Sequence, residues 1–215
     1  MARNIAFYGG TFDPVHRGHM DVAAGVIRQF GLDDFVFVPA FHAPHKKRSR
    51  PTSAFHRFAM LCEASDALTD TSVSTLEVEQ PETPFTIETI GRIKELHPSD
   101  RVFLVIGADS WEEIATWRKW EDVLTAVDII VVTRPGYKIT AEHVTREIRE
   151  RIVDLRNRKS DGTIPGTRSI FITDAAYTNI SATEIRRMIR SGEPEWRELV
   201  DESVVEHIEK YALYD

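Results

Sequence analysis

The sequence predicts an α/β fold: a doubly wound parallel sheet flanked by helices, with a small helical C-terminal region over about residues 180–215. Three observations carry this. Strand-like and helix-like segments alternate along most of the chain. The runs 102–106 (Val-Phe-Leu-Val-Ile) and 129–132 (Ile-Ile-Val-Val) are continuously apolar, as parallel strands covered on both faces are. Two Ser-x-x-Glu capping boxes, Ser181 with Glu184 and Ser203 with Glu206, each read as opening a helix near the end. At 215 residues the whole chain, 1–215, fits one domain.

The elements follow in order. Residues 4–8 read as the first strand, and 17–30 place Met20, Ala23, Ala24, Ile27 and Phe30 on one helical face. Residues 35–38, closed by Pro39, form a second buried strand. Thr52-Ser53 can cap a helix to about Leu68 with Phe55, Phe58, Ala59 and Cys62 inward. A third strand is expected at 73–78. Thr83-Pro84 supplies an N-cap and first-position proline for a helix to Leu96. Between the two apolar runs lies a helical stretch at 110–126. Residues 140–156 read as a long, charge-rich amphipathic helix, and 157–167, with Gly162, Pro165 and Gly166, as a loop. The last strand is 169–173.

Composition narrows the function classes. Hydrophobic residues make up 42% and charged residues 28%, as in ordinary globular proteins. No apolar stretch approaches the roughly 18 residues of a membrane span, and the start lacks the pattern of a secretory signal. The single cysteine, Cys62, forms no internal disulfide, so a reducing cytoplasm is the expected compartment. A net charge of −7 argues against broad binding to a nucleic-acid backbone. Locally, however, residues 42–50 hold His42, His45, Lys46, Lys47, Arg48 and Arg50 without an acid, a pattern suited to a small anion. The sequence sets no oligomeric state and leaves a homo-oligomer open.

The stretch Gly9-Gly-Thr-Phe-Asp-Pro-Val-His-Arg-Gly-His19 sits where ligands of doubly wound sheets bind, at the carboxyl end of a strand. Neither G-x-G-x-x-G nor a phosphate loop of the G-x-x-x-x-G-K-[ST] type is present. Gly9 and Gly10 let the backbone approach a ligand, Gly18 leaves room at the helix start, and the helix N–H groups make an anion site to which His16 and His19 add donors. On these residues alone, zinc ligation and solvated turn histidines compete with anion binding. Asp13-Pro14 reads as a turn. Trp117, close to Trp111 and Trp120, reads from composition as core.

Residues 9–19 resemble the first signature of the nucleotidyltransferase superfamily that contains the adenylyltransferases of NAD and coenzyme A synthesis. Ile180-Ser-Ala-Thr-Glu-Ile-Arg186 resembles its second signature, in the expected position after the last strand. Pro44-His45-Lys46, Gly107-Ala108-Asp109-Ser110, Thr116-Trp117 and Arg134-Pro135-Gly136-Tyr137 are similar to landmarks of bacterial nicotinate-nucleotide adenylyltransferases, and the resemblance runs from about residue 4 onward. Phosphopantetheine adenylyltransferases share the first signature but are shorter and are not expected to carry Trp117 or the Arg-Pro-Gly-Tyr landmark.

The resemblance implies a Rossmann-like nucleotidyltransferase fold that transfers AMP from ATP to nicotinate mononucleotide, with magnesium accompanying ATP. It implies an ATP site of Gly9, Gly10, Thr11, Phe12, His16, His19, His45, Lys46, Asp109, Ser181, Thr183 and Arg186, in which His16, His19, Lys46 and Arg186 handle the phosphate charge catalytically. It places nicotinate mononucleotide against Thr86, Asp109, Trp117 and Arg134, with Trp117 stacking on the pyridine. Two residues depart from the pattern: Phe85 stands where tyrosine is frequent, and Arg118 where an aromatic is common. Rival expectations are transfer to nicotinamide mononucleotide or phosphopantetheine, and a nucleotide-binding sensor without activity.

The chemistry suits these residue types. A phosphate monoester is already largely dianionic near pH 7, so no strong base is needed to attack the α-phosphorus of ATP. The demand is to bring two polyanions together and absorb charge on departing pyrophosphate. Histidines at a helix start, a mobile lysine and an arginine fork answer it. Magnesium would bridge phosphate oxygens and keep much of its water, so no dedicated protein ligands are expected.

Overall fold

A computed structural model describes residues 2–41, 51–80, 84–133, 139–156, 168–176 and 180–215. Its strands are β1 (Asn4–Gly10), β2 (Asp34–Pro39), β3 (Thr71–Val73), β4 (Arg101–Gly107), β5 (Asp128–Val132), β6 (Ile152–Asp154) and β7 (Ile170–Thr173). They form one sheet in the order β3-β2-β1-β4-β5-β7-β6, and every pair is parallel. The helices are α1 (Arg17–Phe30), α2 (Ala54–Ser65), α3 (Thr86–Leu96), α4 (Ala108–Glu112), α5 (Trp120–Ala126), α6 (Arg146–Arg149), α7 (Ala182–Ser191) and α8 (Glu202–Lys210), with 3-10 turns at Ile114–Thr116 and Pro194–Leu199. The expected doubly wound α/β architecture with helices toward the end is thus the observed one.

Alternate strand residues point to opposite faces, and both faces are apolar. Ala6, Phe35, Phe37, Phe103, Val105 and Phe171 share a core with Ala23, Val26 and Phe30 of α1, Met60 and Leu61 of α2, Ile185 of α7 and Val204 of α8. Ile5, Phe7, Val36, Leu104, Ile129 and Val131 pack on the other face with Ile90 and Ile93 of α3, Val123 and Leu124 of α5, and Trp111. The strand order reverses beside β1: β2 and β3 extend the sheet one way, β4 and β5 the other. A crevice therefore lies between the carboxyl ends of β1 and β4, where Gly9–Gly10 and Gly107 stand.

Several elements differ from the sequence expectation. The α2 face is turned: Ala54, Arg57, Met60, Leu61 and Ala64 are buried, whereas Phe55 is 69% exposed and Cys62 is exposed. An arginine in the middle of the true apolar stripe disguised it. The third strand is 71–73 and not 73–78. After Val73 the Ser74 N–H donates to Phe37, the Ser74 hydroxyl accepts from Leu76 N–H, and the chain turns, burying Val78 without a strand.

Thr83 lies outside the described residues, and α3 begins at Thr86, with Glu88 Oε2 accepting from Phe85 N–H over 2.9 Å at its start. The stretch 110–126 is divided by Lys119, whose φ of 53° is left-handed. The long helix expected at 140–156 is absent. Thr145 caps the single turn α6, and the β-branched pair Ile152-Val153 leads into β6, an edge strand whose Val153 joins the first core and Ile152 the second. Ser203 does not open α8: Asp201 Oδ1 accepts from Ser203 N–H at 3.1 Å, so the helix starts earlier. The expected loop 157–167 lies outside the described residues.

Candidate active site

The glycines of β1 explain the first wall. Gly9 is exposed, with nothing within 4 Å of where a Cβ would stand, so the main chain itself faces the crevice. At Gly10 a Cβ would meet the Phe12 ring at 2.8 Å, which makes glycine necessary there. Phe12 is buried, in ring contact with Tyr8, Phe37 and His19. Its side chain therefore braces the turn from below, and what it offers the crevice is main chain. The turn that follows contains a cis Asp13-Pro14 bond and ends at His16, the residue before α1.

His16 and His19 meet at that helix start. Their rings stack with centroids 3.7 Å apart, and His16 N–H donates to His19 Nδ1 over 3.2 Å. With Nδ1 accepting, the His19 ring proton belongs on Nε2. His16 is buried and His19 half-buried. Gly18 lies between the two signatures: a Cβ there would stand 3.1 Å from the His16 Nδ1 and 3.6 Å from Ile180.

The second signature is fastened to the first. Arg186 Nη1 donates to the Asp13 carbonyl, and its Nη2 donates to Thr183 Oγ1 over 3.3 Å. Ser181 and Thr183 are exposed at the start of α7. Ser181 holds the N-cap position, but its hydroxyl makes no capping bond, and Glu184 turns away to Arg187. The expected capping box is therefore not formed, which leaves the Ser181 hydroxyl for a partner outside the helix.

Asp109 opens the wall at β4. It is exposed in the first turn of α4, its Oδ1 only 2.5 Å from where a Cβ on Gly107 would lie, so the carboxylate folds over the strand end. The acceptor-side residues are more spread. Thr86 is half-buried at the first position of α3. Trp117 is half-buried against the second core, whereas Trp111 is fully buried and donates from Nε1 to the Thr140 carbonyl over 2.8 Å. The two departures from the family pattern pair with each other: the Arg118 guanidinium lies 4.5 Å from the Phe85 ring centroid and 3.8 Å from Glu88. His45, Lys46 and Arg134 lie outside the described residues.

Two residues escaped sequence reasoning. Arg57 is fully buried and donates from Nε to the Thr52 carbonyl, from Nη1 to Thr11 and from Nη2 to Ala40 and Phe41, at 2.6–2.9 Å. Burial pulls its pKa down while nearby Asp13 and Tyr214 oppose the change. One guanidinium thus ties the loop after β1, the end of β2 and the start of α2. The second is Tyr214, which donates to Asp13 Oδ1 over 2.8 Å. Asp13 Oδ2 accepts from Thr52 N–H at 3.3 Å, so the carboxylate has a holding role beyond the simple turn expected of it. Among the described residues no group of three or more His, Cys, Asp or Glu is placed to hold a metal ion. With Asp13 engaged by protein donors, the residues present fit an ion that arrives on phosphates better than a resident one.

A doubly wound sheet with no phosphate loop, paired histidines at the first helix start and a second polar helix start bolted to the same turn defines the nucleotidyltransferase class. Residues 7–188 match the cytidylyltransferase-like family. A probable nicotinate-nucleotide adenylyltransferase of Symbiobacterium thermophilum is 35% identical over 100% of this chain and 96% of its own. One of Tropheryma whipplei is 34% identical over 96% of this chain and 97% of its own. The chain belongs to the cytidylyltransferase-like family and, within it, to the nicotinate-nucleotide adenylyltransferases. Among solved structures, the Plasmodium falciparum nicotinic acid mononucleotide adenylyltransferase complexed with NaAD has the same fold, with a TM-score of 0.74, 19% identity and coverage of 99% of this chain and 98% of that one.

Proposed function

We propose that this chain transfers the adenylyl group of ATP to nicotinate mononucleotide. The acceptor phosphate oxygen bonds to the α-phosphorus, the bond from that phosphorus to the bridging oxygen breaks, and pyrophosphate leaves. The observation that carries the reading is the junction of the two signatures, Arg186 on the Asp13 carbonyl and Ile180 beside Gly18, at the crevice between β1 and β4. On this reading three kinds of donor serve the phosphates: imidazole N–H from His16 and His19, the N–H groups at the start of α1, and the hydroxyls of Ser181 and Thr183. Such groups are oriented before the reaction and need not reorganise as charge moves to the leaving group. His45 and Lys46 would join them from the basic segment. Magnesium, carried on the triphosphate, supplies further charge neutralisation when bound.

Asp109 takes the adenosine ribose or base edge at the end of β4, and Thr86 and Trp117 receive the pyridine. On this reading Arg118, with its guanidinium over Phe85 and 3.8 Å from the exposed Glu88, favours the acid over the amide, because it can exchange that carboxylate for a bound one and gains nothing from a carboxamide. We place the reaction in the cytoplasm; among the described residues no helix is long and apolar enough to cross a membrane. The test is pyrophosphate release by purified protein with ATP, magnesium and each acceptor in turn. Release should be fastest with nicotinate mononucleotide. Faster release with nicotinamide mononucleotide overturns the acceptor, and no release with any acceptor overturns the transferase.

A further inference from the structure

Past α8 the chain bends back toward the site. Ala212 and Tyr214 have φ of 46° and 75°, left-handed values that side chains other than glycine rarely adopt. Leu213 and Tyr214 pack against the first core, and the bend delivers the Tyr214 hydroxyl to Asp13, Oη donating to Oδ1 over 2.8 Å. Burial, together with the Asp13 carboxylate, pushes this phenol well above its ordinary range, so it stays a donor at working pH.

Asp13 is an anion placed in the turn that must receive a polyanion, three residues before His16. It is buried, and both oxygens are held: Oδ1 by Tyr214, Oδ2 by Thr52 N–H. Its carbonyl is the one that Arg186 grips. Tyr214 thus comes from the far end of the fold onto the residue where the two signatures join.

We propose that Tyr214 is a positioning residue for ATP: its hydroxyl holds the Asp13 carboxylate, and through it the turn from Phe12 to His16, in the arrangement that admits a triphosphate. This rests on the reading of His16 and His19 as phosphate donors. Without the hydroxyl, Oδ1 loses its partner and the carboxylate must find another donor. A carboxylate held at Oδ2 alone fixes the turn less firmly, and with it the peptide that Arg186 holds and the distance of this negative charge from the phosphates.

Tyr214→Phe keeps the ring and its packing and removes the hydroxyl, with its bond to Asp13 and its side-chain contact with Thr52. By calorimetry it should bind ATP about tenfold more weakly, the worth of one hydrogen bond to a charged group. In turnover, the KM for ATP should rise by the same factor, while kcat and the acceptor KM change less than about twofold. In an Asp13→Asn background the same substitution should cost only about threefold, since a neutral acceptor binds the hydroxyl roughly half as strongly. Unchanged ATP affinity, equal cost in both backgrounds, or a Tyr214→Phe protein that fails to fold would each overturn the proposal. Wild-type protein that binds ATP yet releases no pyrophosphate would sink the transferase reading alone, leaving the calorimetric comparison to judge Tyr214.

Discussion

Arg57 is the residue whose removal the fold should feel most. Its guanidinium satisfies the carbonyls of Thr52, Thr11, Ala40 and Phe41, and no neutral side chain of that length reaches all of them. Arg57→Met keeps the packing volume but leaves those acceptors to water or to nothing. Stability should fall by about 3 kcal/mol or more, read in thermal unfolding as a loss of about 10 °C. His19 should behave oppositely. On the proposed reading its ring N–H serves a phosphate, so His19→Ala should cut kcat about 100-fold, the usual loss for one oriented donor. Its melting temperature should stay within about 3 °C of wild type. Full activity in that variant would remove His19 from the site. The contrast also marks what sequence reveals at this scale: histidines in a glycine turn advertise themselves, whereas an arginine inside an amphipathic stripe reads as solvent-facing.

At the scale of elements, α7 carries a charge cluster at its outer end. Arg187 bonds Glu184 and Glu193, and Ser191 also donates to Glu193. Those bonds hold the Glu193 carboxyl down at about 2 from an ordinary 4.5. Because the folded value is depressed, the contribution is present above about pH 4.5 and is lost as pH falls toward 2. Glu193→Gln should therefore shallow the acid side of the unfolding curve in that window and leave catalysis near pH 7 unchanged; an unaltered acid limb would show the cluster to be idle. These groups are fully exposed, so the effect is small. Elements were legible where periodicity was unbroken. The runs at 102–106 and 129–132 and the helix at 17–30 were readable because apolar spacing had one interpretation. Residues 140–156 were not: Val144, Ile148 and Ile152 keep helical spacing by coincidence, while the sheet edge beside β7 claims Ile152 and Val153 for a strand.

Across the whole molecule, the site depends on topology more than on any single segment. β1 lies centrally, paired with β2 and with β4, and only that placement opens the crevice to which both signatures turn. The position of the first signature was legible, because a glycine turn after a strand in an alternating chain has one place to go. The joining of Asp13 to Arg186, 173 residues apart, was legible only through the family likeness, since no spacing rule encodes it. The Tyr214 contact, 201 residues from Asp13, had no sequence signal at all.

The long reach of that Arg186 bridge bears on biosynthesis. A polypeptide leaving the ribosome carries its histidine turn long before the guanidinium that grips it, 173 residues further on, and before Ile185 of the core beneath. A chain interrupted before α7 therefore holds that turn without its second anchor. The anchoring of the turn waits for α7 to emerge, however soon the turn itself is made.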